Sequence, residues 1–318
     1  MGVSAGRKKN RYGYNTERHA NSVIPYIGGK HALIGNIVPI IEYCADAYSL
    51  NSYFELCGGG GRMLLNLDQS LFQRRLYNDM DLGLCKLFAC LGDRDDIYAL
   101  IALLEELGYS EEVFNQAQQA REFESRMLAR GRTGYELDRI AAAAYTFILA
   151  TQSRAADMVK FDKARVLDKA RQQSYFQRVR MLDRFYPTLR DVEVTQGDCC
   201  ELLSLYEGRV DAFAYLDPPY VPEKMQLDDH YGSRSWTITD HEQLVDTLLD
   251  TKMKVALSGY DNECYAQLVA AGWRRLYLKD VHVSSAATGR RQDEYLWINF
   301  DIPASLEDRV SKFDYSAW

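Results

Sequence analysis

The sequence Val210-Asp211-Ala212-Phe213-Ala214-Tyr215-Leu216-Asp217-Pro218-Pro219-Tyr220 passes from an apolar run to a proline-rich tetrapeptide. The run at 210–216 predicts a buried strand. A proline lacks an N–H and cannot continue a strand ladder, so the chain is expected to leave the sheet at Asp217. The tetrapeptide Asp217–Tyr220 is therefore predicted at the carboxyl edge of a sheet, where open α/β folds bind their ligands.

The tetrapeptide carries the groups that bind an amine on a flat ring. The carboxylate of Asp217 and the carbonyl of Pro218 are two adjacent acceptors, which suit a planar amino group with two hydrogens. Pro219 makes the backbone rigid, and the ring of Tyr220 offers a face for stacking. The alternative is an ordinary turn, since Asp and Pro are common in turns.

Length and composition limit the class of protein. The chain has 318 residues, 47% of them hydrophobic, enough for one large domain with an insertion or for two domains. No stretch reaches the length of a membrane span, and the basic start at 1–11 precedes no apolar segment. These features predict a soluble, cytoplasmic protein. The seven cysteines include no C-x-x-C pair, so neither a disulfide framework nor a structural metal site is predicted.

Charge is distributed unevenly along the chain. The net charge is −7, which by itself disfavours a polyanionic partner. Residues 121–190, however, contain fifteen Lys or Arg and eight Asp or Glu, which gives this segment +7 and the remainder −14. A locally basic segment is compatible with phosphate contacts. A solvated set of helices with mixed charge is the alternative interpretation.

Strand and helix patterns alternate over much of the sequence. Short apolar runs predict strands at Ser52–Leu56, Arg75–Tyr77, Val192–Thr195, Val210–Leu216, Lys254–Leu257, Arg274–Leu278 and Tyr295–Phe300. Helical patterns between them lie at Arg62–Phe72, Asp81–Leu91, His241–Leu249 and Glu263–Ala271. This alternation predicts an α/β fold with a mostly parallel sheet covered on both faces. The last run, after the small-residue loop at 284–289, is expected to return as an antiparallel edge strand.

A helical insert interrupts the strand pattern. The predicted division is a sheet domain at 20–96 and 191–303, a helical insert at 97–190, and tails at 1–19 and 304–318. The insert has helical patterns at Glu111–Arg130, Asp138–Thr151 and Ala164–Tyr186. The tract Ile140–Ala150 is apolar almost all round, so we expect it to be the core helix of the insert. Arg154 follows directly and is placed to reach a ligand, although a solvated arginine is more common.

A glycine loop lies in Phe54-Glu55-Leu56-Cys57-Gly58-Gly59-Gly60-Gly61-Arg62, after the first predicted strand and before a predicted helix. Glycines allow a tight turn and let backbone N–H groups approach a ligand. A helix start behind them would favour a carboxylate or phosphate. The loop is not G-x-G-x-x-G and is not followed by Lys-Ser or Lys-Thr, which argues against phosphate binding of the P-loop kind.

Three more charged residues are predicted near this loop. Asp79 follows the next strand about 20 residues beyond the glycines, where a Rossmann-like fold places an acid that binds ribose hydroxyls. Asp198 follows a third strand and can accept from the amino group of an adenine ring. Asp79 or Asp81 could instead cap the helix that follows them, and Asp198 could cap the helix at 200–205. In Pro25-Tyr26-Ile27-Gly28-Gly29-Lys30, two glycines let a ligand lie against the chain and Lys30 supplies a cation.

The order of these segments resembles that of the Dam-type class of DNA adenine methyltransferases. It runs from Tyr26–Lys30 through the glycine loop and the helical insert to Asp217–Tyr220. The resemblance covers about 22–300 and includes the segment Tyr231–Leu244 and Glu294-Tyr295-Leu296-Trp297. It implies a Rossmann-like methyltransferase sheet that carries an inserted helical DNA-recognition domain. It also implies S-adenosyl-L-methionine as cofactor, duplex DNA as partner and methylation of the 6-amino group of a flipped adenine, with no metal and no obligatory protein partner.

The resemblance assigns roles to particular residues. Its catalytic positions are Asp217, Pro218, Pro219 and Tyr220. Its cofactor-binding positions are Tyr26, Gly28, Gly29, Lys30, Gly59, Gly61, Asp79 and Asp198, and we predict that Cys57 and Cys199 line the same pocket. Beyond the resemblance, we predict DNA contacts from Arg154, Tyr231, Trp236, Arg290 and Arg291, and ordinary surface arginines are the alternative for the last two. The polar segment 221–236 is expected to form a mobile lid that orders on DNA, and the protein is expected to act in the cytoplasm of a bacterium, encoded by the cell or by a phage.

The chain departs from the family pattern at two places. Leu56-Cys57 stands where the family usually has Pro-Phe, so an aromatic contact to the cofactor is missing. After Arg154, Ala155-Ala156 stands where the enzymes that read GATC tend to have Asn-Gly. The second departure predicts a different recognition sequence.

Three alternative functions are weighed against this one. Protein-glutamine methyltransferases usually carry Asn at the position of Asp217 and lack a segment like Tyr26–Lys30, which argues against them. An RNA adenine methyltransferase would use the same amine chemistry. A non-catalytic DNA-binding protein with a degenerate cofactor pocket is suggested only by Leu56-Cys57.

Overall fold

The computed structural model describes residues 22–26, 28–166, 168–220, 236–282 and 291–312. These residues contain a seven-stranded sheet whose strands are β1 (Ser52–Glu55), β2 (Arg74–Asp79), β3 (Val192–Gln196), β4 (Ala212–Leu216), β5 (Lys254–Tyr260), β6 (Arg274–His282) and β7 (Arg291–Ile298). The strand order is β3-β2-β1-β4-β5-β7-β6. The order reverses between β1 and β4, and in open α/β sheets such a reversal opens a ligand-binding crevice at the carboxyl edge.

The sheet is parallel from β3 to β5, and β7 pairs antiparallel with both β5 and β6. All seven predicted strands are present. The antiparallel direction of the last strand is confirmed, but its position at the edge is wrong because β7 lies between β5 and β6. Leu296, Trp297 and Ile298 are all buried, as expected of a strand with neighbours on both sides. The edge strand is β6, where Tyr277 is exposed.

Helices cover both faces of the sheet. Their bounds are α1 (Ile34–Ala47), α2 (Leu82–Leu91), α3 (Arg94–Leu107), α4 (Glu111–Ala129), α5 (Arg139–Gln152), α6 (Lys163–Val166), α7 (Lys169–Arg180), α8 (Tyr186–Leu189), α9 (Cys199–Tyr206), α10 (Ile238–Asp250), α11 (Ala266–Ala270) and α12 (Ala304–Ser311). Successive residues of β4 point to opposite faces. Phe213 and Tyr215 join a hydrophobic cluster with α1 and α2, whereas Ala214 and Leu216 join one with α9 and α10.

The insert packs directly on the sheet domain. Helix α5 contains the predicted core tract, and Ala143, Phe147 and Ile148 are completely buried. This helix packs against α2, and its apolar residues belong to the same cluster as those of α1 and α2. A shared core therefore fixes the insert relative to the carboxyl edge of the sheet.

The helix predicted at Ala164–Tyr186 differs from the observed structure. The pattern Ala164–Tyr186 is broken into α6, α7, a 3-10 turn at Leu182–Phe185 and the start of α8. One break lies before α7, where the side chain of Asp168 accepts from the N–H of Ala170 and begins a new helix.

No helix among the described residues combines the length and apolar character that crossing a membrane requires.

Candidate active site

Asp217 and Tyr220 lie at the carboxyl end of β4, in the centre of the sheet, as predicted. The side chain of Asp217 is largely buried, with 19% of its surface exposed. Its Oδ1 lies 2.7 Å from the Nζ of Lys30, which is itself only 6% exposed. The structure thus brings together a carboxylate and a cation that the sequence predicted separately.

Glu294 completes this group, although the sequence analysis gave it no role. It lies on β7 opposite Tyr260 of β5, and it is 2% exposed. Its Oε1 is 3.6 Å from the Nζ of Lys30 and accepts a hydrogen bond from the hydroxyl of Tyr220. A glutamate within the apolar strand that ends in Trp297 and Ile298 was the signal that could have identified it. We call Lys30, Asp217, Tyr220 and Glu294 the edge cluster.

The ring of Tyr220 is held on several sides. The hydroxyl is bonded to Glu294, and the ring meets that of Tyr260 edge to face, with 4.4 Å between centroids. The Nζ of Lys30 lies 4.6 Å from the ring centroid, in a cation–π contact. Tyr220 is therefore oriented before any ligand binds.

Burial dominates the electrostatics of the edge cluster. It raises the pKa of Asp217 above its ordinary value, while the charge of Lys30 opposes the increase. Burial likewise raises the pKa of Glu294, again against the effect of Lys30 and with a further increase from Asp217. Burial also raises the pKa of Tyr220, so its hydroxyl remains a donor near neutral pH. The ammonium of Lys30 therefore interacts with two poorly solvated carboxylates, those of Asp217 and Glu294.

The glycine loop follows β1, as predicted, but the helix predicted at Arg62–Phe72 is wrong. Residues 59–66 form turns, and a short 3-10 helix follows at Gln69–Leu71. Gly59 and Gly61 have left-handed φ angles of 48° and 63°, and the N–H of Leu64 donates to Oε2 of the buried Glu55 at 2.5 Å. These features divert the backbone from a helix, so the expected helix N-terminus does not support anion binding here.

Side chains pack where the loop glycines lack a Cβ. A Cβ on Gly59 would lie 2.7 Å from the ring of Tyr26, and one on Gly61 would lie 2.5 Å from the ring of Phe88. Real Cβ contacts essentially never approach so closely, so larger residues would displace the loop. The structure therefore brings Tyr26 and the glycine loop together, as predicted.

The N-terminal segment makes a turn at 26–30, beside the glycine loop. Gly28 has a left-handed φ of 73°, and the N–H of Gly29 donates to the carbonyl of Tyr26 at 3.1 Å. This turn directs Lys30 inward, where its Nζ also donates to the carbonyl of Gly28 at 2.8 Å. The turn thus links the residues beside the glycine loop to the edge cluster.

Asp79 also lies beside the glycine loop, at the end of β2. Its Oδ2 accepts from the N–H of Gly59 and its Oδ1 from the N–H of Asp81, each at 2.8 Å. The hydroxyl of Tyr77 donates to the carbonyl of Gly59 at 2.8 Å and supports the same loop. These bonds orient the carboxylate of Asp79, a group that accepts hydrogen bonds and therefore suits hydroxyl donors.

Asp198 caps α9, which was the alternative role considered for it. Its Oδ1 accepts from the N–H groups of Cys200 and Glu201, at 2.7 and 3.2 Å. The side chain of the buried Cys199 lies within hydrogen-bonding reach of Cys57 and Cys200. Thiols therefore meet where the resemblance led us to expect an aromatic side chain. The cysteines that the structure describes are all free.

Arg154 belongs to a cavity that does not include the edge cluster. It is exposed and lines a cavity of about 600 Å³ together with Phe114 and Lys160 of the insert. The residues after it, Ala155 and Ala156, line a different cavity of about 360 Å³, which also contacts Tyr26, Arg62, Tyr175 and Arg178. This second cavity connects the insert with Tyr26, which packs against the glycine loop, and Arg62 is a lining residue that the sequence analysis did not select.

The backbone after Arg154 is strained. Ala155, Ala156 and Met158 have φ angles of 53°, 61° and 57°, in the left-handed region that costs residues other than glycine about 1 kcal/mol or more. Asparagine and glycine adopt this region most readily. The alanines thus occupy a backbone shape suited to the Asn-Gly pair that the resemblance led us to expect.

The other predicted DNA-binding residues are only partly described. Trp236 precedes α10, and its ring contacts that of His241, with 5.1 Å between centroids. His241 is completely buried, and its Nδ1 lies 2.7 Å from the hydroxyl of Tyr265. Arg291 begins β7, but its side chain lies outside the described part of the chain. Tyr231, Arg290 and most of the predicted lid, at 221–235, also lie outside the described residues.

Most of the chain matches a known protein family. A sequence profile described as D12 class N6 adenine-specific DNA methyltransferase matches residues 26–281. The matched region includes the glycine loop, the insert and Asp217–Tyr220, although it ends before Glu294. No curated protein matches the chain.

Proposed function

Because the chain belongs to the D12 class of N6 adenine-specific DNA methyltransferases, we propose that Asp217, Pro218 and Tyr220 hold the target adenine during methylation. The reaction of this class transfers a methyl group from S-adenosyl-L-methionine to the 6-amino group of adenine in duplex DNA. The position of Asp217 at the central carboxyl edge of the sheet, beside a buried cation and an oriented tyrosine, carries the proposal.

The target base must leave the duplex to reach this edge. The carboxylate of Asp217 and the carbonyl of Pro218 then accept hydrogen bonds from the two amino hydrogens. These bonds draw the nitrogen lone pair out of conjugation with the ring, and the adjacent carboxylate stabilises the positive charge that develops on nitrogen. Tyr220 stacks on the base and fixes its orientation.

Glu294 and Lys30 prepare Asp217 for this role. In the absence of substrate, Lys30 neutralises the largely buried Asp217. Glu294 gives the ammonium a second anionic partner at 3.6 Å, which leaves acceptor capacity on Asp217 for the amino group. Its hydrogen bond with Tyr220 holds the stacking ring in place.

The residues beside the glycine loop fit the cofactor. Asp79 presents an oriented carboxylate to the ribose hydroxyls, and the absence of Cβ atoms at Gly59 and Gly61 is required by the packing of the loop. Tyr26, Gly28, Gly29, Cys57, Asp198 and Cys199 complete the proposed pocket. When bound, the cofactor supplies a methyl group on a sulfonium centre.

The basic insert supplies the proposed DNA-recognition surface. We assign 20–96 and 191–303 to the catalytic domain and 97–190 to recognition, with Arg154, Tyr231, Trp236, Arg290 and Arg291 as DNA contacts. The excess of positive charge at 121–190 supports this division. Ala155-Ala156 favours a recognition sequence other than GATC. We place the enzyme in the bacterial cytoplasm, as a product of the cell or of a phage, because its substrate is DNA and its described cysteines are free thiols.

The proposal is tested with Asp217→Ala and the matched variant Asp211→Ala. Asp211 precedes the other end of β4 and pairs with Arg209 at the surface. Asp217→Ala is expected to lose methylation of duplex DNA while calorimetry still detects cofactor binding, and Asp211→Ala is expected to retain both. Near-normal turnover by Asp217→Ala would refute the assignment.

A further inference from the structure

A buried ion pair joins the insert to Asp81, the residue directly before α2. Arg121 of α4 is 9% exposed and Asp81 is 2% exposed. The Nη2 of Arg121 donates to Oδ1 of Asp81. The same oxygen caps α2 by accepting from the N–H of Gly83 at 2.8 Å. The insert therefore contacts the first turn of a helix that belongs to the sheet domain.

The local packing is built around this contact. A Cβ on Gly83 would lie 2.4 Å from Oγ1 of Thr146 and 2.6 Å from Cζ of Arg121. Only glycine leaves room for the guanidinium and for α5 at this point of α2. The pair is thus held by close packing from two insert helices.

A second contact extends the connection to the cofactor side. The N–H of Asp81 donates to Oδ1 of Asp79 at 2.8 Å, and the N–H of Gly59 donates to Oδ2 at 2.8 Å. Of these two bonds to the Asp79 carboxylate, one comes from the glycine loop and the other from the residue that Arg121 binds. The orientation of Asp79 consequently depends on where the insert holds Asp81.

We propose that Arg121 is a positioning residue for cofactor binding and that, through Asp81 and Asp79, it couples DNA binding on the insert to cofactor affinity. This inference rests on the proposed ribose-binding role of Asp79. When DNA binding shifts α4, the guanidinium of Arg121 moves with it. The first turn of α2 then moves too, together with the N–H of Asp81 that donates to Oδ1 of Asp79. Coupling between two sites is reciprocal, so the cofactor must strengthen DNA binding by the same factor.

A neighbouring contact provides a control for a purely structural role. Lys86 of α2 pairs with Glu124 of α4 at 3.0 Å and also donates to the carbonyl of Leu137 at 2.6 Å. Glu124 in turn accepts from the N–H of Leu137. This pair joins the same two helices, but these bonds lead to Leu137 in the insert instead of Asp79. Lys86→Gln therefore weakens the attachment of the insert without disturbing the path to the cofactor.

The experiment measures binding of S-adenosylhomocysteine by calorimetry, with and without sheared bacterial genomic DNA, for the wild type, Arg121→Gln and Lys86→Gln. DNA is expected to increase the affinity of the wild type about 5- to 150-fold, the usual range of coupling between sites, and an unchanged wild-type affinity on addition of DNA would overturn the coupling. Arg121→Gln is expected to bind more weakly without DNA and to show no such increase. Lys86→Gln is expected to resemble the wild type. Unchanged affinity in Arg121→Gln, or an equal loss in Lys86→Gln, would overturn the proposal.

Two further variants separate the possible failures. Asp79→Asn is expected to weaken binding with and without DNA. Unchanged binding in Asp79→Asn would contradict its ribose role, and with it the coupling, whereas a loss in Asp79→Asn alone would contradict only the coupling. If circular dichroism shows that Arg121→Gln does not fold, Asp81→Asn replaces it, because an amide still caps α2 but lacks the charge that Arg121 binds. The same loss of affinity is expected, and wild-type affinity in Asp81→Asn would overturn the proposal.

Discussion

The Nζ of Lys30 lies 2.7 Å from Oδ1 of Asp217, and Oε1 of Glu294 is 3.6 Å from the same nitrogen. The residues come from the N-terminal segment, the end of β4 and the sheet strand β7. Two poorly solvated carboxylates and one ammonium leave a net negative edge cluster when both acids are ionised. Such a cluster favours a substrate on which positive charge develops.

Removal of the cation should change the pH dependence of methylation. Burial raises the pKa of Asp217 and Lys30 opposes that effect, so Lys30→Gln should raise this pKa further. Ionised Asp217 is then lost at a higher pH, and the acidic limb of the rate profile should move upward. Initial rates across the pH range, at saturating DNA and cofactor, check this. Lys254→Gln is the control, because Lys254 lies over the ring of Tyr48, and it should not move the acidic limb of the rate profile. An equal shift in Lys254→Gln would contradict the role of Lys30.

Glu294→Gln should lower kcat about tenfold or more, with cofactor affinity retained. The hydroxyl of Tyr220 would lose its bond to a carboxylate, and bonds to charged groups contribute about 1.5–3 kcal/mol. Tyr220→Phe should give a similar loss, and the double variant little additional loss, because both single changes remove the same interaction. Single-turnover rates measure the effect. Glu307→Gln, at the surface pair with Arg274, is the control, and fully additive losses would argue against this contact.

Glu55 should make the folded protein less stable as the pH rises. Burial raises its pKa from 4.5 to about 8, although hydrogen bonds from Leu64 and Tyr53 oppose this. The folded state therefore binds the proton more tightly than the unfolded state. The resulting stability is complete below pH 4.5 and is lost as the pH rises through about 8. At about 1.4 kcal/mol per pKa unit, the loss amounts to several kcal/mol.

Urea unfolding at a series of pH values tests this sign. The stability of Glu55→Gln relative to the wild type should increase with pH, because glutamine does not titrate. Glu193→Gln provides the opposite case, since the hydrogen bond from Arg74 lowers the pKa of Glu193. The stability that ionised Glu193 contributes to the wild type is lost as the pH falls, so the stability of Glu193→Gln relative to the wild type should increase at low pH. A pH-independent difference between Glu55→Gln and the wild type would show that Glu55 is not buried as a neutral acid.

The strained turn after Arg154 predicts an unusual response to glycine. Ala155→Gly should change the free energy of unfolding by less than about 0.5 kcal/mol, or should stabilise the fold, because relief of the left-handed strain offsets the entropy of glycine. Ala99→Gly, on the exposed side of α3, should cost about 1 kcal/mol. Chemical denaturation compares the two variants. Equal losses would mean that Ala155 is not strained in the folded protein.

The parts of the site that the sequence predicted are those fixed by local chain chemistry. Asp217 lies at the sheet edge because an apolar strand ends at two prolines. Tyr26 approaches the glycine loop because glycine leaves space for a ring. Glu294 was not selected because its role depends on pairing between β5 and β7, which is distant in sequence from Lys30 and Tyr220. The Arg121 contact to Asp81 likewise arises only when the insert packs on α2.

Local patterns were also misleading where a tertiary contact competed with them. The apolar periodicity after Arg62 predicted a helix. The side chain of Glu55 instead accepts a hydrogen bond from the N–H of Leu64, and the loop forms turns. The last strand was expected at the edge, but its buried residues on both faces fit an interior position. The position of a strand in the sheet order depends on these long-range pairings, which periodicity alone does not contain.

Methylation-aware sequencing of DNA from cells that express the wild type or Asp217→Ala tests the central claim most directly. The account predicts N6-methyladenine at one recurrent sequence in wild-type cells and none at that sequence in cells with the variant at equal protein level. Unmethylated adenine in wild-type cells, or an identical pattern in both, would contradict the assignment of Asp217 to the methylated amine.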